Sequence, residues 1–398
     1  FACIGAVDAL HNTLDWVARG GEEEDRIGIV VFSDNAKYDL ESAGEYTQGA
    51  GGGALLIRHN PRLISIPDRW GVSTSPVHDF FKPRREVSIK SVISHVVQLA
   101  RETGASIKEG MVDRMVRHLP ESTVRRMGIF SHGVDSVQVH RDEPVFDGQF
   151  SNQCYQDAVE EAFRDFRAKA EADGRWDAEG ETVLTEDWAR IIMHLPYAFQ
   201  AKRMFPAVFA YERRGSASWT DVEAEIGLPP SIDDFDDTPE GQAEHAKAMD
   251  GYRRSISKTQ AYREFHAERI EKGQRASSLI GNQYTGSIFL AMMSTFESDY
   301  ESDSPLDGQQ FGLCGYGSGA KAKVFEGVVS NRWREVVASW NLFERMAGRM
   351  AIDQVTYELL HKGIHEGSVL KPRGEFALVE IEGGEGELEG ARTYAWVE

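Results

Sequence analysis

The sequence predicts an α/β fold, and three observations predict it. Leu10, Leu14 and Val17 recur at helical spacing near the start of the chain. An apolar run, Ile27 to Phe32, follows as a buried strand, and a Gly-rich stretch, Thr47 to Gly53, leads into a second strand-like run, Ala54 to Ile57. Hydrophobic residues make up 41% of the 398, enough for a sizeable core in two or three domain-sized units or one large layered fold.

The elements follow in order. The first helix ends around Gly20-Gly21, and Ser33-Asp34-Asn35 turns the chain at the carboxyl end of the first strand. Gly49, Gly51, Gly52 and Gly53 lack the preceding strand, following helix and spacing of a dinucleotide fingerprint; close backbone packing and a phosphate cradle both stay open for them. Residues 84–142 carry 10 Lys/Arg and 7 Asp/Glu against an acidic remainder, with helical patterns around Ile89 to Leu99 and Met111 to Leu119, and read as an inserted surface subdomain. A helix is expected over residues 154–172, with Val159, Phe163 and Phe166 on one face. The run Asp233-Asp234-Phe235-Asp236-Asp237 reads as a solvated face, since nothing around it completes a Ca²⁺ loop. Residues 252–274 read as a charged helix, Ser287 to Met293 as a buried helical segment, Phe311 to Gly319 as strand and Gly-rich turn, and Val324 to Val329 as a strand. No repeat occurs at solenoid periods, and only Glu382 to Gly390 is of low complexity.

Charge excludes partners. With 64 Asp+Glu against 44 Lys+Arg the formal charge is −20, which repels nucleic acids and anionic membranes. Only 13 of the basic residues are Lys. Acid excess with few Lys fits a high-salt cytoplasm, and it equally fits an acidic cytosolic enzyme from an Arg-rich genome. No apolar run reaches the roughly 18 residues of a membrane span, and no basic-apolar leader is read at the start. Three cysteines, Cys3, Cys154 and Cys314, favour free thiols in a reducing, cytoplasmic compartment. Residue 1 is Phe, and a helix that opens a chain with no strand before it suggests missing upstream sequence.

Most chemistries have no motif here. The twelve His show no HxxH or HExxH spacing, and no acidic residue of zincin type lies between His361 and His365, so no metal is expected. Gly315-Tyr316-Gly317-Ser318-Gly319 has its Ser one place too late for a nucleophile elbow. Cys3, at the start of a helix, is either a thiolate favoured by the helix dipole or a small buried hydrophobe. His194, at the end of the apolar strand Ile191 to Met193, is either structural or placed to polarise a thioester carbonyl and shuttle a proton. Asn282 and Ser318 are polar groups at the mouths of apolar elements, where they can orient a carbonyl.

Taken in order, these segments resemble 3-hydroxy-3-methylglutaryl-CoA synthases of the thiolase superfamily. The segments are Phe1-Ala2-Cys3-Ile4-Gly5-Ala6, Ser33-Asp34-Asn35-Ala36-Lys37-Tyr38, Thr47-Gln48-Gly49-Ala50-Gly51 and Asp79-Phe80-Phe81-Lys82-Pro83. They continue through Pro144-Val145-Phe146-Asp147-Gly148 with Cys154-Tyr155, His194 with Pro196-Tyr197, Gly281-Asn282 with Tyr284-Thr285-Gly286-Ser287, and Tyr316-Gly317-Ser318-Gly319-Ala320. The resemblance implies a five-layered αβαβα thiolase-like fold, its first half incomplete at the N-terminus, and a homodimer. It divides the chain into residues 1–83, the remainder of the first half with the nucleophile, the inserted 84–142, and residues 143–398, the second half. It implies that Cys3 is acetylated by acetyl-CoA, that the enolate of this acetyl group attacks acetoacetyl-CoA, and that hydrolysis releases HMG-CoA for isoprenoid synthesis. His194 would hold the acetoacetyl thioester, and Asn282, Ser318, Tyr38 and Thr47 would line the acyl site. No metal or redox cofactor is implied; the CoA thioesters are substrates. The acid-rich style is nearest to halophilic members.

Three departures accompany the resemblance. The family's general acid/base Glu lies some thirty residues before its Cys, upstream of the first residue here. Residues 84–142 interrupt a direct step between two family motifs. The family's CoA-phosphate Lys, five residues after the His, is Phe199 here, which leaves Lys202 or Arg203 as substitutes. Two rival readings are a synthase of the same fold acting on acyl-carrier-protein substrates, which a basic patch in 84–142 would favour, and a non-catalytic thiolase-fold scaffold.

Overall fold

The computed structural model describes residues 1–21, 24–104, 110, 136–140, 143–174, 183–365, 367–383 and 388–398. The helical pattern around Met111 to Leu119 lies outside them. Along the chain come α1 (Gly5–Arg19), β1 (Ile27–Ala36), β2 (Gly49–Arg58), β3 (Ile64–Ser65), β4 (Trp70–Thr74), β5 (Phe80–Phe81), β6 (Arg84–Ser88) and α2 (Ile89–Glu102). Next are β7 (Ser136–His140), β8 (Val145–Phe146), α3 (Gly148–Ala172), β9 (Trp188–Met193), α4 (Gln200–Met204), α5 (Pro206–Arg213), α6 (Trp219–Ile226) and α7 (Pro239–Ile256). Then follow α8 (Gln260–Arg269), α9 (Glu271–Ile280), α10 (Ser287–Glu301), β10 (Gln310–Gly317), β11 (Lys321–Val329), α11 (Gln354–His361), β12 (Glu375–Ile381) and β13 (Arg392–Val397).

Two compact units result. The larger holds residues 1–81 and 143–348, the smaller residues 82–142 and 349–398. In the larger unit β9 runs parallel to β10, β10 antiparallel to β11, and β11 antiparallel to both β3 and β4. The fully buried strand residues of this sheet (Ile192, Leu313, Cys314, Val324 and Phe325) form near-continuous apolar runs, as two-sided burial demands. α3 covers the sheet with Phe163, Phe166 and Val159, and Asp147 caps its start by accepting from the amides of Gln149 and Phe150 at 2.9 and 3.0 Å. α1 packs against β1 and β2, which pair antiparallel from Ile27↔Arg58 to Ala36↔Gly49. Asp8 on α1 is held by the ammonium groups of Lys321 and Lys323, each at 2.8 Å, which fixes the helix to β11.

Several elements differ from expectation. The Gly-rich stretch is not a turn before a strand but the first half of β2 itself, because β1 supplies a full ladder for it. The charged helix expected over 252–274 is three helices, broken at Ser257–Thr259 and at Ile270. The hydroxyl of Thr259 caps α8 by accepting from the Tyr262 amide, so a new helix begins where propensity alone would continue the old one. The smaller unit contains the antiparallel pair β6–β7, the helix α2 capped by Ser88, and the hairpin β12–β13.

Candidate active site

Cys3 sits in the turn just before α1, and the backbone around it is pinned from two sides. The Ala2 amide donates to the Ser318 carbonyl at 3.0 Å, and the strand end at Gly317 lies directly against Ile4. Cys3 is buried with Ala36, Tyr38 and Tyr284, and Ala2 and Phe80 pack on the same cluster. Burial pushes its thiol up to about 12, and the carboxylates of Asp34 and Asp79 push the same way, against one backbone hydrogen bond. Of the two alternatives open for Cys3, this is the buried thiol: in a closed site the loss of solvent outweighs the helix dipole. The group is a thiol until a proton acceptor acts on it.

His194 follows the last residue of β9. Its amide donates to the Cys314 carbonyl at 3.0 Å, continuing the β9–β10 ladder by one bond, and its own carbonyl accepts the Tyr155 hydroxyl at 2.8 Å. Its backbone is thus fixed at both ends while the ring stays unengaged. The ring is 1% exposed, and neither nitrogen has a hydrogen-bond partner among the described residues. Burial lowers its pKa to about 3, so the imidazole is neutral at physiological pH, with one donor and one acceptor nitrogen. A buried polar ring without partners costs stability, and that cost is recovered when a ligand supplies the bonds.

Tyr155 and Tyr316 join the two centres. Their rings are 4.4 Å apart, Tyr155 stacks near His194 at 6.3 Å, and both hydroxyls are raised above the ordinary tyrosine value by burial, with Cys3 adding in each case. Tyr316 donates to Asp79 at 2.7 Å, the Gly319 amide donates to the other Asp79 oxygen at 2.6 Å, and the Ser151 hydroxyl lies at 3.3 Å. Asp79 is completely buried and so holds the Gly317–Gly319 turn that carries Ser318.

The third side comes from residues far away in sequence. Asn282 is fixed by its amide donating to the Thr47 carbonyl at 2.9 Å, and its side-chain oxygen accepts from the Tyr284 amide at 2.8 Å and the Ser287 hydroxyl at 3.0 Å. The approach of the two segments is so close that a Cβ on Gly281, at φ +89°, would lie 2.0 Å from the Gln48 carbonyl oxygen. Close backbone packing is thus what the Gly-rich stretch serves at Gly49, whose Cβ would meet the Asn282 oxygen at 2.6 Å. The Tyr38 phenol is raised by burial, while hydrogen bonding with Tyr284, Asn282 and Thr47 works against that rise. Tyr284 itself has φ +42°, a left-handed backbone that costs about 1–3 kcal/mol and often marks a functional site. Asp34 accepts from both the amide and the hydroxyl of Thr285 and ties the end of β1 to this loop.

A chain of contacts thus links Cys3 to Tyr38 and, through Ala2, to the Ser318 turn, Tyr38 to Thr47 and Asn282, and His194 to Tyr155 and Tyr316. Lys202 is not among them: its carbonyl accepts the Tyr262 hydroxyl at 3.2 Å, and its charge helps lower His266. Sequence reasoning gave no role to Asp79, Tyr155, Tyr284 or Tyr316. A lone Asp before Phe80-Phe81 was the available signal for the first; the tyrosines look like ordinary core residues until the fold converges them. Among the described residues no three His, Cys, Asp or Glu side chains gather as metal ligands. No described helix is long and apolar enough to cross a membrane.

Comparison with known proteins shows the family. The family model described as hydroxymethylglutaryl-coenzyme A synthase C terminal matches residues 138–365, more than half of the chain. The hydroxymethylglutaryl-CoA synthase of Haloferax volcanii is 26% identical over 404 residues, spanning 100% of this chain and 74% of its own length. That of Schizosaccharomyces pombe is 24% identical over 379 residues, spanning 94% and 68%. Among solved structures, MvaS in complex with 3-hydroxy-3-methylglutaryl coenzyme A is 25% identical with a TM-score of 0.67, covering 100% of this chain and 73% of that one. An HMG-CoA synthase complexed with CoA shares the fold at a TM-score of 0.57 and 21% identity, covering 100% of this chain and 72% of that one. The chain belongs to the hydroxymethylglutaryl-CoA synthase family of acyltransferases and has their thiolase-like α/β fold.

Proposed function

We propose that the chain condenses acetyl-CoA with acetoacetyl-CoA through an acetyl-Cys3 intermediate. The Cys3 sulfur forms a bond to the acetyl carbonyl carbon, the bond to the CoA sulfur breaks, and the thiol proton ends on the departing CoA. Loss of a methyl proton gives the enolate of acetyl-Cys3, whose carbon attacks the ketone of acetoacetyl-CoA; the ketone oxygen takes a proton and becomes a tertiary hydroxyl. Water then cleaves the Cys3 thioester to a carboxylate and frees the thiol. A thioester suits each step, since it acidifies its α-hydrogens and leaves readily.

The observation that carries this reading is the buried, unpartnered ring of His194, ready to bind the thioester carbonyl of the second substrate. Asn282 and the Ser318 turn face the acyl group, and Tyr38 and Thr47 close its side. The test is the loss of acetoacetyl-CoA on mixing with acetyl-CoA. His194→Ala should abolish condensation yet leave acetyl transfer to Cys3 intact; loss of both to the same degree would remove His194 from this role.

Further readings rest on the resemblance together with charge. Lys202 meets the CoA phosphates in place of the family Lys; a Lys202→Glu variant with unchanged Michaelis constants for both thioesters would sink this. The neighbouring Arg203, exposed and donating to the Tyr197 hydroxyl at 2.8 Å, is the competing candidate. The enzyme works in the cytoplasm as a homodimer, consistent with three free, buried thiols. At −20, its folding is favoured by salt that screens self-repulsion. A thermal midpoint that does not rise with KCl would refute the halophilic reading.

A further inference from the structure

We propose that the groove between α3, α5 and α7 binds a small organic anion, one carboxylate or phosphate group on a short apolar body. The groove has a volume of about 200 Å³, far too small for a CoA, and three arginines converge on it from three helices: Arg164, Arg214 and Arg253. One carboxylate lines it with them. Glu160 accepts from Arg164 at 2.5 Å through one oxygen and lies 4.0 Å from Arg253 through the other. It thus holds two guanidiniums apart, one on each side. The Arg164 guanidinium is further fixed by stacking on Tyr211, 4.4 Å from the ring centre.

Glu160, Asp157 and Asp250 stand near Arg164 and Arg253, which leaves Arg214 as the guanidinium of the groove with no carboxylate close to it among the described residues. Among the described residues Arg253 has only long approaches, to Glu160 and to Asp250 at 3.9 Å, and Asp157 also feels its charge. Arg214, exposed at the end of α5, makes no ion pair within 4 Å among the described residues, and its guanidinium lies 5.9 Å from the Trp219 ring. A guanidinium fork with unused N–H groups recognises carboxylate and phosphate oxygens. On a chain of net charge −20, a groove lined by three guanidiniums and one carboxylate is a place where an anion can approach Arg214 and the free edge of Arg253. The floor is apolar: Ala207 and Ala210 are one turn apart on α5, and Met249 faces them from α7. The small alanines leave the space, and the apolar floor selects a ligand with a hydrocarbon part over a bare ion.

The probes are glutarate and inorganic phosphate, each titrated into the full chain by calorimetry at ionic strength held constant with KCl. Saturable binding is expected, at least tenfold weaker in Arg214→Glu and in Arg253→Glu, with glutarate binding more tightly than phosphate because of the apolar floor; phosphate binding as tightly as glutarate or more so would overturn the apolar-bodied ligand. Phenylglyoxal labelling of Arg214, read by peptide mass spectrometry, gives a second measurement on the unmutated protein. The bound anion should slow the labelling severalfold, whereas KCl should not. No saturable binding of either probe, binding unchanged in both variants, or equal protection by KCl would overturn the site.

Discussion

Gly317→Ala tests how the strand end positions the nucleophile. A Cβ on Gly317 would stand 2.7 Å from the backbone nitrogen of Ile4 and 2.9 Å from its Cβ and Cγ2. Ordinary contact begins at 3.4 Å, so the turn holding Cys3 must retreat by about 0.7 Å. It cannot do so by a side-chain rotation, since the nearest atom is backbone, and the Ala2–Ser318 hydrogen bond resists the movement. Overpacking of this kind costs about 1–3 kcal/mol of stability, and a displacement near 1 Å at a reacting atom costs on the order of 100-fold in rate. Gly315→Ala is the internal control, because the atoms nearest its Cβ would be side-chain atoms of Val7, at 3.2, 3.4 and 3.7 Å. In a single-turnover assay of Cys3 acetylation by mass spectrometry, Gly317→Ala should be slowed about 10- to 100-fold and Gly315→Ala less than about threefold. Equal rates for the two variants, with both folded, would refute the claim that Gly317 sets the position of Cys3.

Asp79→Asn keeps the shape of the side chain but turns one acceptor into a donor opposite the Tyr316 hydroxyl or the Gly319 amide. It should cost about 1–3 kcal/mol by denaturant melt and slow acetylation; a neutral result on both would show that the turn does not depend on Asp79. Stability should fall in acid. His194 and His266, lowered by burial to about 3 and about 4, stay neutral in the fold, whereas the unfolded chain takes up protons below the ordinary histidine value of 6.5. Stability is therefore lost as pH falls from about 6.5 toward 3, and His266→Gln should flatten the slope of the pH–stability curve over that window. Burial alone would raise Asp299, but hydrogen bonds from Arg190 and Lys272 hold it below the ordinary carboxylate range, so Asp299→Asn should remove a further part of the acid loss. Its removal leaves the partly buried Arg190 and Lys272 charges without their common carboxylate, at a cost of about 1–3 kcal/mol in a chemical melt; no measurable cost would contradict a structural role for this ion pair. Cys3 should alkylate with iodoacetamide far more slowly than a free thiol at pH 7.5, and faster as the pH rises; fast alkylation at neutral pH would contradict the raised thiol.

Much of the fold was legible because local signals agreed with tertiary ones. The apolar runs at Ile27 and Phe311 and the amphipathic stripe Val159, Phe163, Phe166 gave strands and a helix where the structure has them. Boundaries failed where tertiary partners decided them: β2 begins inside glycines because β1 is there to pair with, and α7 gives way to α8 where Thr259 supplies a cap. Cys3, His194, Asn282 and Ser318 were individually weak in the sequence and became informative as an ordered set. Asp79 and the tyrosines were opaque, since a buried carboxylate accepting three hydrogen bonds looks, one residue at a time, like any acidic residue before a strand. The sequence left a thiolate and a buried thiol both open for Cys3, because burial depends on Tyr38, Tyr284 and Phe80, which are distant in sequence.

The most direct test of the account is the intact mass of the protein after incubation with acetyl-CoA in concentrated KCl, with Cys3→Ala beside it. An acetyl adduct on the unmutated chain that is absent from Cys3→Ala, and that disappears on adding acetoacetyl-CoA, is the predicted result. An adduct that persists in Cys3→Ala would contradict Cys3 as the nucleophile.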